Sequence, residues 1–250
     1  MAVEIYRADL TLMEHTFFAS REVGIYYETE PLIGNYALAY ALGLCASPYY
    51  WDGPPRYKQD LGPLNNKGLY VTPGTFVQES VRYALSQFNA QTDSYFFRFD
   101  QNAIGTDPVK KARAANFPQS GKIRMLGQGS RASFFLLNEQ ANEQGGTLRL
   151  PTYIRLGKFN SKARLIWEKL TLRSMESIER DNERLDFLIN AADLPAKIVS
   201  RLRSFSMYNL SPAPLLSHCH LSGQFWQCGT RAGGDVYIPV GMRFGVDALV

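Results

Sequence analysis

The sequence has few of the residues that form disulfides or bind structural zinc, with three cysteines and three histidines among 250 residues. Three cysteines are too few for a disulfide framework, so we expect reduced thiols. No stretch approaches the roughly 18 consecutive apolar residues that a membrane-spanning helix needs. The start, MAVEIYRADLTL, lacks the basic segment and apolar run of a secretory signal. We therefore expect a cytoplasmic protein with no membrane contact.

The sequence also lacks the motifs GxxxxGK[ST], GxGxxG, GxSxG and HExxH, so nucleotide hydrolysis, dinucleotide binding and the common hydrolase classes have no motif support. His218, Cys219, His220 and Cys228 form the only cluster that resembles metal ligands. Structural zinc takes four ligands, usually as two closely spaced pairs, and the second pair here is incomplete. His15 is a candidate acid or base for an RNase, but no second titratable group at motif spacing supports it. We predict no metal, no cofactor and no catalytic residue.

The charge is unevenly distributed along the chain. The net charge is +4, but residues 1–60 contain four basic and eight acidic residues, a net of −4, which leaves +8 for the remainder. Such asymmetry favours a polyanionic partner for the later part of the chain. Nucleic acid and an acidic protein surface both satisfy this criterion.

The most informative basic stretch is YIRLGKFNSKARL, residues 153–165, which contains no acidic residue. It combines four cations with two aromatic rings: Arg155, Lys158, Lys162, Arg164, Tyr153 and Phe159. Cations bind phosphates, and aromatic rings stack on unpaired bases, so a hairpin with this composition suits single-stranded nucleic acid. A solvated hairpin also collects Lys and Arg, and both interpretations stay open here.

A second basic stretch, residues 110–131, also contains no Asp or Glu. Its cations are Lys110, Lys111, Arg113, Lys122, Arg124 and Arg131. The turn at residues 127–130, GQGS, could direct backbone N–H groups at a phosphate. A plain hairpin turn is the favoured interpretation, because glycine first of all supplies turn geometry.

The apolar patterning predicts more strands than helices. Strands are expected at 2–12, 122–126, 132–137, 148–156, 163–172 and 236–244, with a basic turn at 157–162. Helices are expected at 31–44 and at 194–203, the second with Asp193 as N-cap. Residues 45–75 predict little regular structure, 76–90 fit a helix or a strand, and 176–186 fit a solvated helix face or loop. This order favours an α+β fold with an antiparallel sheet.

Four blocks of sequence together resemble one known family. They are FFASREVG (17–24), YETEPLIGNYALAYALG (27–43), FNAQTDSYFF (88–97) and YIRLGKFNSKARL (153–165). The chain resembles, from residue 3 to about 170, the type I-D CRISPR Cascade subunits of the Cas-five group, the Csc-one family of the RAMP superfamily. The block 27–43 contains no basic residue, so we expect it to build the core or a subunit interface.

The resemblance implies a ferredoxin-like or RRM-like antiparallel sheet core with long β-hairpin insertions, one of them called a thumb. We accordingly expect one RAMP-type domain over residues 1–250, with insertions at about 45–75 and about 145–175. It also implies one copy at the foot of a filament of backbone subunits, where it caps the 5′ handle of the crRNA beside the large subunit. Contact with target DNA near the PAM stays open.

The resulting prediction is a non-catalytic crRNA-binding subunit of a surveillance complex in antiviral defence. One alternative is a metal-independent RAMP endoribonuclease that processes precursor crRNA, as the Cas-five subunit does in a related subtype. A second alternative is a protein–protein adaptor with a basic surface. The predicted RNA-binding residues are Lys110, Lys111, Lys122, Arg124, Arg131, Tyr153, Arg155, Lys158, Phe159, Lys162 and Arg164.

Overall fold

The computed structural model describes residues 3–18, 20–24, 26–45, 56–89, 96–98, 103–105, 120–141 and 148–246. The first elements in chain order are β1 (Glu4–Leu12), β2 (Arg21–Val23), β3 (Tyr26–Glu28), β4 (Leu32–Ile33), α1 (Asn35–Ala41), α2 (Tyr57–Asn66), β5 (Leu69–Val71), β6 (Gly74–Phe76), β7 (Tyr83–Asn89), β8 (Phe96–Arg98) and β9 (Ala103–Gly105). The later ones are β10 (Ser120–Leu126), β11 (Arg131–Asn138), β12 (Tyr153–Leu156), β13 (Ser161–Lys169), β14 (Thr171–Leu172), β15 (Ile178–Arg184), β16 (Ile189–Asn190), α3 (Ala196–Val199), β17 (Leu202–Tyr208), β18 (Leu215–Gly229) and β19 (Asp235–Pro239). None of the helices in these ranges has the length and apolar character to cross a bilayer.

The main sheet contains seven strands in the order β12-β13-β1-β11-β6-β4, with β5 also paired to β11. β1 lies between β11 and β13 and pairs antiparallel with both. Ala8, Leu10 and Leu12 alternate along β1 and are buried, because successive side chains of a strand point to opposite faces. β1 thus confirms the predicted strand over 2–12 for Glu4–Leu12. β12 pairs antiparallel with β13 from Tyr153 opposite Arg164 to Leu156 opposite Ser161, which confirms the predicted hairpin around 157–162.

A side sheet of four strands has the order β2-β3-β10-β7. The predicted strands 122–126 and 132–137 both exist, as β10 and β11, but they belong to different sheets. β10 pairs with β7 and β3, whereas β11 pairs with β1. The segment 76–90, which fits a helix or a strand by its sequence, forms the strand β7. This strand pairs along its whole length with β10, and the helical part of the segment is a single 3-10 turn at Gln78–Ser80.

The C-terminal sheet is organised by one long strand, β18, which pairs with β14, β15 and β16 and also with β17 and β19. The helix or loop predicted for 176–186 is wrong. This acidic segment forms β15, because the backbone of β18 offers it hydrogen-bonding partners from Ile178 to Arg184. Local composition cannot reveal such a partner 40 residues away. The predicted strand 236–244 is present but shorter, as β19.

Both predicted helices are shorter than expected. The first begins at Asn35 and not at Pro31, because Leu32 and Ile33 pair with β6. The second contains only Ala196–Val199, and the strand β17 already begins at Leu202. The Asp193 carboxylate does not cap it, because other donors bind both carboxylate oxygens.

The prediction of little regular structure over 45–75 is wrong for its described part. Residues 46–55 lie outside the described residues, but α2, β5 and β6 follow. Leu61 and Leu64 of α2 are 0% and 2% exposed, and β5 pairs with β11. The sequence pattern does not predict α2, because Gly62 and Pro63 interrupt its apolar periodicity.

The main and C-terminal sheets share one hydrophobic core. Phe135 of β11 packs edge-on against Phe187, with 5.0 Å between ring centroids, and Tyr70 packs against Phe244 at 5.1 Å. The described chain is thus mostly antiparallel sheet with few helices, which confirms the predicted sheet class.

Candidate nucleic-acid interface

The strand register of the main sheet brings four separated side chains into one row across β12, β13, β1 and β11. Tyr153 lies opposite Arg164, Arg164 opposite Thr11, and Thr11 opposite Arg131. Residues directly opposite each other project from the same face of a sheet. With neighbouring strands about 4.8 Å apart, the row is about 14 Å long. We call Tyr153, Arg164, Thr11 and Arg131 the transverse row.

A second line of cations runs beside the transverse row. Arg155 lies opposite Lys162, and the backbone of Lys162 accepts a hydrogen bond from the N–H of Met13. The Lys162 ammonium is 4.2 Å from the centre of the Tyr153 ring, which joins the two lines. Arg155 is 3.8 Å from Glu14, and both side chains are more than half exposed, so this ion pair is weak.

The hairpin tip is fixed to the segment that follows β1. Gly157 has φ +70°, and a Cβ there would lie 2.5 Å from the Phe17 carbonyl oxygen, so only glycine fits. That oxygen accepts the Lys158 N–H at 2.9 Å. The Phe159 ring packs on Phe17 at 5.5 Å between centroids and still has 55% of its surface exposed. The tip therefore presents an exposed aromatic ring from a backbone that is hydrogen-bonded to Phe17.

Three cations of this face have no carboxylate partner among the described residues. In the described ranges, Arg131, Lys162 and Arg164 form no ion pair, whereas arginines of the C-terminal sheet such as Arg201 and Arg203 do. An unpaired surface cation keeps its full attraction for a mobile anion. The structure thus brings together Arg131, Tyr153, Arg155, Lys158, Phe159, Lys162 and Arg164 of the predicted set.

The remaining predicted cations lie elsewhere. Lys122 and Arg124 are in β10 of the side sheet, and Lys110 and Lys111 lie outside the described residues. The Arg124 guanidinium is 3.3 Å from Glu28 and 4.5 Å from the centre of the Tyr83 ring. Its charge is thus partly neutralised within the chain. Sequence proximity to Arg131 does not place these two residues on the transverse row.

The turn at residues 127–130 has a structural role, and its N–H groups are occupied. The Gly127 N–H donates to the Arg82 carbonyl at 2.7 Å, and the Gln128 N–H donates to His15 Nδ1 at 3.3 Å. The Gly129 N–H donates to the Leu12 carbonyl at 2.8 Å, and the Ser130 N–H donates to the Gly127 carbonyl at 3.2 Å. The phosphate-binding alternative for this turn therefore has no available donor, and the plain turn interpretation is supported.

Arg82 is a basic residue that the sequence did not single out. Its N–H donates to the Ser130 hydroxyl at 3.0 Å, and its guanidinium lies beside Gly129, two residues from Arg131. It forms no ion pair among the described residues and is exposed. No local pattern marks it, because it is isolated in its segment and only the pairing of 82 with 127–130 places it near the row.

The geometry around His15 offers little for acid–base chemistry. The ring is exposed, and its Nδ1 accepts the Gln128 N–H. The Ser161 hydroxyl donates to the His15 carbonyl oxygen at 2.6 Å and not to the ring. Within the described residues, no carboxylate or second histidine hydrogen-bonds to the imidazole.

The His218–Cys228 cluster is divided between the two sides of β18. Cys219 and Cys228 are 0% exposed, and burial raises the pKa of each thiol to about 12. His220 instead forms a 2.8 Å hydrogen bond with Ser204. In the part of the chain that the structure describes, no three His, Cys, Asp or Glu side chains are grouped to hold a metal ion.

Comparisons with known proteins identify the family of the chain. No curated protein matches the sequence. One similar solved structure is titled the cryo-EM structure of the Type III-B Cmr-beta bound to cognate target RNA and AMPPnP, state 1. It is 8% identical, with 86% of each chain covered and a TM-score of 0.43. The family model for the type I-D CRISPR-associated protein Cas5/Csc1 matches residues 3–247. The chain therefore belongs to the type I-D CRISPR-associated Cas5/Csc1 family.

Proposed function

We propose that this protein is a non-catalytic crRNA-binding subunit of a type I-D surveillance complex, and that it holds the 5′ handle of the guide RNA. Family membership supports the CRISPR context, and the transverse row is the observation that supports RNA contact. Its neighbours in the complex would be the backbone filament and the large subunit. Target DNA near the PAM is a further candidate contact within the same proposal.

The chemistry of the transverse row suits a single strand better than a duplex. Arg131 and Arg164 are separated by one strand, so they can bind neighbouring phosphates of a chain that crosses the sheet. Tyr153, half exposed at the end of the row, offers a face on which a base can stack. A duplex would conceal its base faces, and Tyr153 and Phe159 would then have no role.

The proposal also includes a specific assignment of the fold. We interpret the main sheet with α1 as the ferredoxin-like core of one RAMP-type domain, and the regions of about 45–75 and 145–175 as its insertions. The location of β1 between two antiparallel neighbours, with α1 following it in the chain, is compatible with this assignment. An experimental structure of the complex would test it.

The decisive experiment measures RNA binding by the full chain. Fluorescence anisotropy with a labelled single-stranded RNA of the repeat-derived 5′ end would compare wild type with Arg131→Ala and Arg164→Ala. Each lost phosphate contact should reduce the slope of log K against log salt by about 0.7. Lys197→Ala is the matched control, because Lys197 is exposed and unpaired among the described residues but belongs to α3. Equal effects of all three variants would reject the transverse row as the site.

The same RNA distinguishes the binding role from the endoribonuclease alternative. Incubation of wild type and His15→Ala with repeat RNA, without added metal, should leave the RNA intact in both cases. Site-specific cleavage that disappears in His15→Ala would overturn the non-catalytic assignment. Absence of any RNA binding by wild type would instead favour the adaptor role.

A further inference from the structure

A cleft opens between the main sheet and the C-terminal sheet. It has a volume of about 220 Å³, an apolar floor of Leu32, Phe76 and Leu188, and a polar rim that includes Gln78 and His218. Binding sites for drug-sized molecules have volumes of about 300–1,000 Å³. This cleft is therefore matched to a smaller ligand, about one ring system in size.

A β-bulge places His218 at the rim. Ser204 lies opposite His220 and Ser206 opposite Ser217, so His218 and Cys219 together face the single residue between them on β17. His218 has φ +52°, a left-handed conformation that costs a residue with a side chain about 1–2 kcal/mol. Bulges of this kind redirect side chains, and this one directs an exposed imidazole to the cleft.

The rim combines hydrogen-bond donors and acceptors without a fixed net charge. Arg184 and Asp186 face each other at 3.2 Å with 61% and 84% of their side chains exposed. An ion pair this exposed contributes little and separates readily. Tyr208 and His218 supply two aromatic rings, and the amide of Gln78 both donates and accepts. A neutral heterocycle with polar edges matches such a rim better than a phosphate or an aliphatic chain.

A segment that lines the cleft is hydrogen-bonded to the Arg131 end of the transverse row. The carbonyl oxygen of Arg131 accepts hydrogen bonds from the Val77 N–H at 2.9 Å and the Ser80 hydroxyl at 3.2 Å. Gln78, between those two residues, lines the cleft. The Arg131 end of the transverse row therefore adjoins the segment 77–80, which contributes Gln78 to the rim of the cleft.

We propose that this cleft receives a single unstacked nucleobase of the RNA strand that lies on the transverse row. The proposal rests on the proposed RNA-binding function and adds one base-recognition site to it. The base would lie between the rings of Tyr208 and His218, and its polar edge would meet Gln78 and the Arg184–Asp186 pair. The cleft thereby fixes the register of the strand, which the phosphate contacts of the row cannot do alone.

The test is an abasic scan with the full chain. A single-stranded RNA of about 12 nucleotides is synthesised with one base removed at each position in turn. Loss of one stacked base should weaken binding roughly 5- to 150-fold, the equivalent of about 1–3 kcal/mol. We expect one position with this loss that disappears in a His218→Gly, Tyr208→Leu double variant. Glycine retains the left-handed backbone at 218, so the bulge is preserved.

Met207→Leu is the control, because Met207 is a 58% exposed apolar residue of the same strand as Tyr208 and lies opposite Leu216, outside the bulge. Thermal unfolding of each variant verifies that the sheet is intact. An abasic penalty that persists unchanged in the double variant would overturn the cleft site and leave the RNA-binding function standing. If the RNA binds normally and removal of no single base weakens binding, the cleft site is also overturned. The occupant of the cleft would then be a side chain of a neighbouring subunit. No RNA binding by wild type would reject the proposed function itself.

Discussion

The hydroxyl of Tyr70 donates a 2.9 Å hydrogen bond to the Asp193 carboxylate, across 123 residues of chain. The same carboxylate accepts hydrogen bonds from Asn35 at 2.6 Å, from the Tyr36 hydroxyl at 3.1 Å and from the Gly245 N–H at 2.7 Å. These donors come from β5, α1 and the C-terminal segment. A buried carboxylate that is satisfied on both oxygens therefore fixes three parts of the fold to one another.

We predict that Tyr70→Phe lowers the free energy of unfolding by about 1–3 kcal/mol, because the ring is retained and only the hydrogen bond to a carboxylate is lost. Urea denaturation followed by tryptophan fluorescence would measure the change. Tyr83→Phe is the matched control, since the Tyr83 side chain is 46% exposed, and it should change stability by less than about 0.5 kcal/mol. Equal effects of the two substitutions would show that the Asp193 contact does not stabilise the fold.

The pKa of Asp193 leads us to predict that the stability of the fold depends on pH. Burial raises the pKa of Asp193 to about 6, although its hydrogen bonds oppose the shift. In an unfolded chain the pKa of an aspartate is about 3.9, so between these values the folded state holds more protons. The contribution of Asp193 to stability is therefore present below about pH 4 and is lost as pH rises to about 6, by about 2–3 kcal/mol.

The measurement compares wild type with Asp193→Asn by urea denaturation at pH 4.5, 5.5 and 7. The asparagine cannot titrate, so the stability advantage of wild type over the variant should shrink as pH rises. Other carboxylates titrate alike in both proteins and cancel in the difference. A difference that is constant with pH, or that grows, would contradict the raised pKa.

The sequence predicts the strands of the main sheet well because their apolar alternation is local information. β1 and the β12–β13 hairpin follow directly from the pattern of buried and exposed positions. β15 could not be predicted, since its charged residues form a strand only because β18 supplies a hydrogen-bonding edge. Asp193 shows the same limit: its spacing suits an N-cap, but burial against α1 and β5 gives its carboxylate stronger partners.

The candidate site was likewise only partly predictable from the sequence. The cation and ring content of residues 153–165 is readable from the sequence, whereas the alignment of Arg131 with Arg164 depends on Thr11 of β1, which lies far from both in sequence. Arg124 is only seven residues from Arg131, yet the turn between them sends the two residues into different sheets. Proximity in sequence therefore does not reveal that Lys122 and Arg124 lie in a different sheet from Arg131, nor that Arg82 lies near the row.

Gly157→Ala should disturb the hairpin tip. The new methyl group would lie 2.5 Å from the Phe17 carbonyl oxygen, and alanine also disfavours the φ of +70° found there. We expect a loss of about 2–3 kcal/mol in thermal or chemical unfolding, with weaker RNA binding because Lys158 and Phe159 shift. Gly62→Ala in α2 is the matched control: a Cβ there meets nothing within 4 Å, and the helix should gain up to about 1 kcal/mol. If Gly157→Ala is as stable as wild type, the hairpin tip can shift to accept the methyl group without lowering the free energy of unfolding.

Substitution of Tyr153 separates stacking from charge at the transverse row. Tyr153→Leu removes the ring but no cation, so single-stranded RNA should bind about 5-fold or more weakly with an unchanged salt slope. Tyr153→Phe is the control, because the ring face is preserved and the hydroxyl makes no hydrogen bond in the described residues. Lys162 now lies over this ring, and an arriving base must displace it, so anisotropy should show the deficit of Tyr153→Leu at high salt as well as at low salt. A deficit that vanishes at high salt would mean that Tyr153 acts only by positioning the Lys162 charge.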